Sequence, residues 1–155
     1  KDILEKKLDM QVGIFLKEYP PYSSRTVQGK PLFEWAREDR LSEIEIPQRK
    51  VSITAITLQS ISEISKQDLG KNICDKINSV HGDFRQQESL TSWRRVFGEH
   101  VSETFFIAKI HIACGSGVYM RQLAAEIGRA CGTHALAYHI FRTKVGEYRV
   151  TDSLM

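Results

Sequence analysis

The chain has 155 residues, of which 41% are hydrophobic and 26% are charged, values typical of one soluble globular domain. It contains no run of about 18 apolar residues, which argues against a transmembrane helix and a membrane partner, and its first residues lack the apolar core of a signal peptide. The net charge of +3 is compatible with a polyanionic partner but does not by itself indicate one.

The three cysteines, Cys74, Cys114 and Cys131, are widely spaced and form no C-x-x-C pair. This usage indicates reduced thiols in a cytoplasmic protein rather than a disulfide framework. Neither the cysteines nor the five histidines have the spacing of a metal site. The sequence begins at Lys1 without an initiator methionine, so we expect it to have been cut from a longer chain.

The first part of the chain predicts short elements around a turn. Apolar positions in residues 3–16 follow helical spacing at first and strand spacing afterwards. Residues 19–24, with the sequence YPPYSS, contain two prolines and predict an ordered turn or extended segment. Pro31 suits the first turn of a short helix. Residues 49–61 are rich in β-branched side chains and predict a strand. The residues expected on one face of this strand are Val51, Ile53, Ala55 and Thr57.

The second part of the chain predicts three helices and a further strand. Residues 66–80 and 86–97 predict two amphipathic helices, and residues 117–130 predict a third. Residues 104–113 predict a strand between the second helix and the third. The residues expected to bury one face of the first two helices are Leu69, Ile73, Ile77, Val80, Leu90, Trp93 and Phe97.

The last elements and their order predict the fold class. A final pair of strands is expected over residues 135–141 and 148–150, with Gly146 in the turn. Helices and strands are mixed without repeating βαβ units, which favours an α+β fold with a mostly antiparallel sheet flanked by helices. Residues 63–100 resemble a helical insertion between two strands that would otherwise be neighbours.

Three segments of the chain carry motifs. Residues 19–24 (YPPYSS) and 28–37 (QGKPLFEWAR) are similar to P-P-x-[FY]-S-A followed by G-K-x-L-Y-x-x-A-R. Residues 47–53 (PQRKVSI) are similar to an R-x-V-x-V strand, and residues 114–142 begin with CGSGVYMR, similar to C-x-x-G-x-Y-I-R. By their order and separation, the segments together resemble the TruB family of pseudouridine synthases over most of residues 13–150, except for the insertion.

The resemblance implies that residues 1–155 form part of the catalytic domain of a tRNA pseudouridine synthase, which isomerises the T-loop uridine of tRNA to pseudouridine. It implies RNA as the partner and neither a metal nor another cofactor. The family's catalytic aspartate lies in a G-x-x-D-x-x-A-x-G motif upstream of the proline motif, and no such motif occurs here. We therefore expect this chain alone to be inactive, with the missing N-terminal part supplied in cis or in trans.

The resemblance also implies roles for individual residues. Arg121 would be the ion partner of the absent aspartate, because an opposite charge lowers the pKa of a carboxylate by about 1–3 units and a guanidinium can meet it in a fork. The alternative is a solvated arginine early in an amphipathic helix. The residues expected to bind substrate are Tyr119, Ile140, Tyr22, Ser23, Gly117, Lys30 and Arg142.

Each substrate-binding residue also has a structural alternative. Tyr119 and Ile140 are equally compatible with ordinary core positions. Tyr22 and Ser23 are compatible with a purely structural role in the proline turn. Four basic residues are candidates for RNA phosphate contacts, or else are solvated surface charges, namely Lys30, Arg25, Arg142 and Lys144.

Two other functions are compatible with the sequence. A non-catalytic RNA-binding or interaction module, or one subunit of a split enzyme, would bind RNA in a salt-dependent way without isomerising it. A different α+β enzyme with an accidental likeness would not depend on Arg121. Within residues 63–100, Trp93 and the arginines after it either contact RNA, or Trp93 and Phe97 pack onto the sheet.

Overall fold

The computed structural model describes residues 1–82, 84–99 and 102–152. The described chain divides into two compact units. The first unit is Lys1–Thr57 together with the described part of His111–Met155, and the second unit is Leu58–Ile110. The helices and strands, in chain order, are α1 (Asp2–Asp9), β1 (Gly13–Glu18), β2 (Thr26–Val27), β3 (Lys30–Pro31), α2 (Leu32–Arg37), β4 (Gln48–Ser65), α3 (Lys66–Asn78), α4 (Gln86–Glu99), β5 (Thr104–Cys114), α5 (Met120–Ala130), β6 (Lys144–Val145) and β7 (Tyr148–Arg149).

The main sheet has three strands in the order β1-β4-β5. Strand β1 pairs antiparallel with β4, from Gly13 opposite Ile53 to Glu18 opposite Gln48. Strands β4 and β5 also run in opposite directions, because Gly115 N donates to Ser52 O while Lys66 N donates to Glu103 O. The prediction of an α+β fold with an antiparallel sheet and helices is therefore confirmed.

The core of the first unit takes its buried side chains from helices α1, α2 and α5 and from strand β4. Helix α1 contacts α5, and Leu8 of α1 is buried, as the helical spacing of residues 3–9 predicts. Pro31 precedes helix α2, where its extended backbone suits the residue that caps a helix. The buried apolar side chains of this unit are Leu8, Leu32, Trp35, Val51, Ile53, Ile56, Leu123 and Ile127.

Strand β4 departs from the predicted alternation of its faces. Val51 and Ile53 are buried as expected, but the expectation for Ala55 and Thr57 is wrong, since both are exposed and Ile56 is buried instead. Thr54 and Ala55 are successive exposed residues, so the alternation changes phase there. One additional residue in a strand produces such a change, because side chains alternate with a period of two.

The C-terminal strand prediction is wrong over residues 135–141, which form neither helix nor strand. Leu136, Ile140 and Phe141 are all more than half exposed. A strand needs a neighbour for its backbone hydrogen bonds, and no strand of the described sheets pairs with this segment. A shorter hairpin follows, in which β6 pairs with β7 around Gly146, which has a positive φ of 57°.

The second unit is built on a helical hairpin of α3 and α4, which contact each other. Ser65 caps α3, because its Oγ accepts from Asp68 N at 3.0 Å. Trp93, Phe97 and Phe105 form a row of rings with centroid separations of 5.3 and 5.9 Å. Phe97 thus contacts strand β5 through Phe105, as the packing interpretation expects, whereas Trp93 contacts Phe97 of its own helix.

The apolar face predicted for helix α3 is buried only in part. Leu69 and Ile73 are buried and Ile77 is half-buried, but Val80 lies beyond the end of α3 and is 45% exposed. The segment expected as a helical insertion, residues 63–100, falls within the second unit where it is described. Asp83 and His100 of that segment lie outside the described residues.

Candidate active site

A tight turn joins strand β5 to helix α5 and carries most of the motif residues. Its first residue is tied to β4, because Gly115 N donates to Ser52 O at 2.9 Å. Gly117 has a φ of +86°, a left-handed value that favours glycine, so α5 begins at Met120 rather than at residue 117 as predicted. Tyr119 is the N-terminal cap residue of α5, and its carbonyl accepts from Leu123 N. The turn therefore sets the point at which helix α5 starts.

The guanidinium of Arg49, from strand β4, fills the space beside this turn. Its Nη2 donates to the carbonyl oxygen of Ser116 at 2.9 Å. A Cβ atom on Gly117 would lie only 1.6 Å from Cζ of Arg49, so glycine is required while the arginine occupies this place. The Nε atom of Arg49 is buried and has no hydrogen-bond partner among the described residues. Arg49 thus hydrogen-bonds to the backbone of the turn and occupies the space that a side chain at position 117 would need.

Two tyrosines and two arginines cluster next to the turn. The rings of Tyr19 and Tyr119 meet edge to face, with centroids 6.2 Å apart. The guanidinium carbons of Arg25 and Arg49 lie 5.4 and 5.6 Å from the centroid of the Tyr19 ring, within cation–π range. Tyr19, the first residue of the YPPYSS segment, is thereby brought next to Tyr119, the residue before α5, although 100 positions separate the two tyrosines.

A cleft between β1, β4 and α5 opens beside the same turn. Arg49, Val51, Gly117, Tyr119 and Gln122 are among the residues that line it. Lys17 of β1 and Glu126 of α5 also line the cleft and form an ion pair with Nζ and Oε2 2.7 Å apart. The cleft combines apolar walls with fixed charges.

Arg121 lies in the first turn of α5 and is exposed to solvent. Among residues 1–82, 84–99 and 102–152, no carboxylate forms an ion pair with it. The first turn of α5 contains no acidic residue, and a cation at that end of a helix is opposed by the helix dipole. The positive charge of Arg121 is therefore not neutralised within the described chain.

The other residues predicted to bind substrate differ in their surroundings. Ser23 is buried, and its hydroxyl has no hydrogen-bond partner among the described residues, whereas Tyr22 is 49% exposed. Ile140 is 53% exposed, so the core alternative does not describe it. Lys30 forms an ion pair with Glu38 and lies 4.8 Å from the centroid of the Trp35 ring. The charge of Lys30 is thus already paired with groups of the protein itself.

Two charge effects change pKa values in this unit. The hydrogen bond from Lys30 holds the pKa of Glu38 below its usual value. Partial burial raises the pKa of the Cys114 thiol, and the positive charge of Arg142 opposes that rise. Arg142 is therefore close enough to Cys114, at the end of β5, to influence its ionisation.

Sequence reasoning named the segment of Arg49 but assigned the residue no role. A usable signal was present, because Arg49, Val51 and Ile53 occupy alternate positions and so share one face of β4. A charged residue in line with two buried ones points toward the interior, where it needs a specific partner. The pairing of Tyr19 with Tyr119 had no such signal, since it depends on the fold alone.

None of the helices in the described part of the chain combines the length and the apolar character needed to cross a bilayer. Within the same residues, no three side chains of histidine, cysteine, aspartate or glutamate are grouped so that they could hold a metal ion.

No protein-family model matches the chain. It is 30% identical over 154 residues to proteins named tRNA pseudouridine synthase B from Staphylococcus aureus strains Newman and USA300, and 29% identical to that of strain JH9. The chain is related in sequence to these synthases. The similarity covers 99% of this chain but only 38% of each relative, so the chain spans well under half of their length.

Proposed function

We propose that this chain is the part of a TruB-type tRNA pseudouridine synthase that contributes Arg121, and that the catalytic aspartate comes from a segment outside these residues. The observation that carries the proposal is the position of Arg121, exposed at the start of α5 with no ion-pair partner in the described chain. The similarity to proteins named tRNA pseudouridine synthase B supports it.

The reaction breaks the bond between ribose C1′ and the base nitrogen of uridine and then joins C1′ to a carbon of the same base. A carboxylate at the sugar–base junction has to stay ionised for this chemistry. The guanidinium of Arg121 would keep it so by lowering its pKa and by meeting its two oxygens in a fork. The uridine must first leave its stack, which costs a few kcal/mol.

The remaining motif residues are proposed to take the roles that the family resemblance implies. Tyr119, held against Tyr19, and the half-exposed Ile140 would flank the uracil ring. Gly117 would allow the close turn, while Tyr22 and Ser23 would shape the floor of the pocket. None of these roles needs a metal or a redox cofactor.

The proposed substrate is RNA, with the T-arm of tRNA as the natural target and the cytoplasm as the place where the two meet. Arg25 and Arg142 are the better candidates for phosphate contacts, which would position the RNA without reading its sequence. Lys30 is a weaker candidate than its motif position implies, because Glu38 and Trp35 already engage its charge.

The exposed face of strand β1 supports the proposal that another segment completes the domain. β1 is an edge strand of the described sheet, and its alternate residues Ile14 and Leu16 are 65% and 67% exposed. Phe141 in the irregular segment after α5 is 65% exposed. Apolar side chains along a sheet edge are normally covered, since an open edge invites aggregation. The missing N-terminal part, in cis or in trans, is the proposed cover.

The proposal is tested with the protein expressed from the gene that carries this sequence, acting on a T-arm stem-loop RNA. Formation of pseudouridine is measured under single-turnover conditions, and RNA binding is measured separately. Arg121→Ala should lower the rate by about a hundredfold or more with little change in binding. Arg129→Ala is the matched control, because Arg129 is an exposed arginine in the last turn of the same helix.

An Arg121→Ala variant as fast as the unaltered protein would disprove the ion-pair role. Residues 1–155 alone should form no pseudouridine, because the aspartate is absent from them. Product formed by that chain alone would show that the nucleophile lies within it and that Arg121 has been given the wrong partner.

A non-catalytic RNA-binding module is the second candidate, and it is favoured by the fact that the family's aspartate motif does not occur in residues 1–155. This function predicts RNA binding that weakens steeply with salt, since phosphate contacts release counterions. It also predicts no pseudouridine from the complete gene product under any condition in the same assay. The two candidates are therefore separated by one measurement of product.

A further inference from the structure

We propose that Arg49 is a positioning residue, which holds the turn from Ser116 to Tyr119 so that Arg121 is presented in the orientation that the reaction needs. The inference rests on the proposed function, because the residue that Arg49 orients matters only if Arg121 takes part in the reaction. It assigns a role to a strand residue outside the helix that carries Arg121.

Arg49 contacts the turn directly. Nη2 of Arg49 donates to Ser116 O at 2.9 Å, and its guanidinium lies where the side chain of residue 117 would begin. Gly117 adopts its positive φ without strain, and a residue with a side chain would be disfavoured there both by that φ and by the guanidinium. The guanidinium of Arg49 therefore packs from strand β4 against backbone that carries no side chain at this point.

The Nε atom of Arg49 is buried and has no hydrogen-bond partner among the described residues. Buried donors without partners are rare in native proteins, and each one calls for an explanation. A methionine in the same place would fill similar space without leaving a donor unpaired. An arginine at this position is explained if the site requires its planar guanidinium and the hydrogen bond to Ser116 O.

A short chain of contacts connects Arg49 to Arg121. Ser116 and Gly117 contact Arg49 directly, and Tyr119 caps the helix whose first turn contains Arg121. The Tyr19 ring lies beside both Arg49 and Tyr119, which limits the movement of the cap residue. A shift of the turn by about 1 Å would move Arg121 as well, and such a displacement can cost up to about a hundredfold in rate.

The test is a double-mutant cycle in the complete gene product, with single-turnover rate, RNA affinity and melting temperature measured for each variant. Arg49→Ala should lower the rate by roughly ten- to a hundredfold while RNA affinity changes little. Arg49→Ala added to Arg121→Ala should cause little further loss, because the residue being positioned is already gone. Lys50→Ala, at the next and exposed position of β4, is the matched control.

Arg49→Lys keeps the charge and the aliphatic stem but lacks the planar fork, so it should lose rate nearly as far as Arg49→Ala. If Arg49→Ala fails to fold, the rate of Arg49→Lys is the result that tests the positioning role. Gly117→Ala should reproduce the loss, since its Cβ displaces the guanidinium, and adding Arg49→Ala to it should change little.

Independent, multiplicative losses from Arg49→Ala and Arg121→Ala would overturn the inference, as would full activity of Arg49→Lys. If Arg121→Ala itself has no effect, the proposed function fails instead. If Arg121→Ala is slow and Arg49→Ala is fast, only the positioning role fails. A loss of rate that follows only the melting temperature would show that Arg49 has a purely structural role.

Discussion

The ammonium nitrogen of Lys17 lies 2.7 Å from a carboxylate oxygen of Glu126, so an ion pair joins strand β1 to helix α5. The two side chains are 30% and 19% exposed, which leaves the pair partly shielded from water. Shielding makes each charge depend more strongly on the other than it would at the surface. The pair therefore ties the edge strand to the helix that carries Arg121.

Replacing Glu126 with glutamine should lower the free energy of unfolding by about 1–2 kcal/mol, because the charge of Lys17 would then be left partly buried and unpaired. The measurement is chemical denaturation followed by circular dichroism. The matched control is Glu5→Gln, which breaks the Lys1–Glu5 pair, whose side chains are 69% and 45% exposed. That change should cost less than about 0.5 kcal/mol. Equal effects of the two substitutions would contradict the importance of shielding.

Gly128 of helix α5 should not tolerate alanine. A Cβ atom there would lie 2.5 Å from the backbone nitrogen of Ala135 and 2.8 Å from its Cβ, and backbone cannot move aside cheaply. Gly128→Ala should destabilise the protein by about 1–3 kcal/mol, despite the better helix propensity of alanine. Thermal denaturation measures the effect.

The control for that substitution is Gly98→Ala in helix α4, where a Cβ atom would meet nothing within 4 Å. It should be neutral or stabilising by up to about 1 kcal/mol, since only helix propensity acts there. A stable Gly128→Ala variant would show that the segment after α5 does not pack against the helix as described.

The hydroxyl of Ser23 should contribute nothing to stability. The residue is only 5% exposed, and its Oγ has no partner among the described residues, while its backbone carbonyl accepts from Phe33 N. Ser23→Ala keeps the backbone bond and removes a polar group buried without a partner, so it should be neutral or stabilising by up to about 1 kcal/mol. Denaturant melts of Ser23→Ala and of the exposed neighbour Ser24→Ala measure the difference. A clear loss in Ser23→Ala would contradict this expectation.

The thiol of Cys114 should react slowly with alkylating reagents near neutral pH. Partial burial raises its pKa, so a smaller fraction is thiolate at a given pH, and only the thiolate reacts. Arg142→Gln removes the positive charge that opposes this rise, so the pKa should move higher still. The rate of iodoacetamide labelling at Cys114, followed by mass spectrometry from pH 7 to about 10.5, should shift to higher pH in the variant. A shift to lower pH would place Arg142 away from the thiol.

Local signals predicted most of the helices and strands correctly. Helix α5 has apolar residues at Leu123 and Ile127, spaced by one turn, and both are buried. Strand β5 combines β-branched and aromatic residues over the predicted range, and the structure extends it by a single residue to Cys114. These elements were predictable because propensity and periodicity act within a few residues of each other.

The failures occurred where a residue's environment is set by distant parts of the chain. Residues 135–141 have the composition of a strand, but a strand exists only beside a partner, and the described sheets provide none. The face of Ala55 was assigned from strict alternation, which one local change of phase is enough to reverse.

In the candidate site, too, some features could be predicted from the sequence and others depend on the fold. The sequence alone determined the α+β class and the likeness of the motifs around Arg121 to a synthase family. Only the tertiary structure decided that Arg49 lies against Gly117, that Tyr19 meets Tyr119 and that Glu38 engages Lys30. Helix and strand propensity is encoded by neighbouring residues, whereas the pairing of Arg49 with Gly117 spans 68 positions and forms only when strand β4 and the start of α5 pack together.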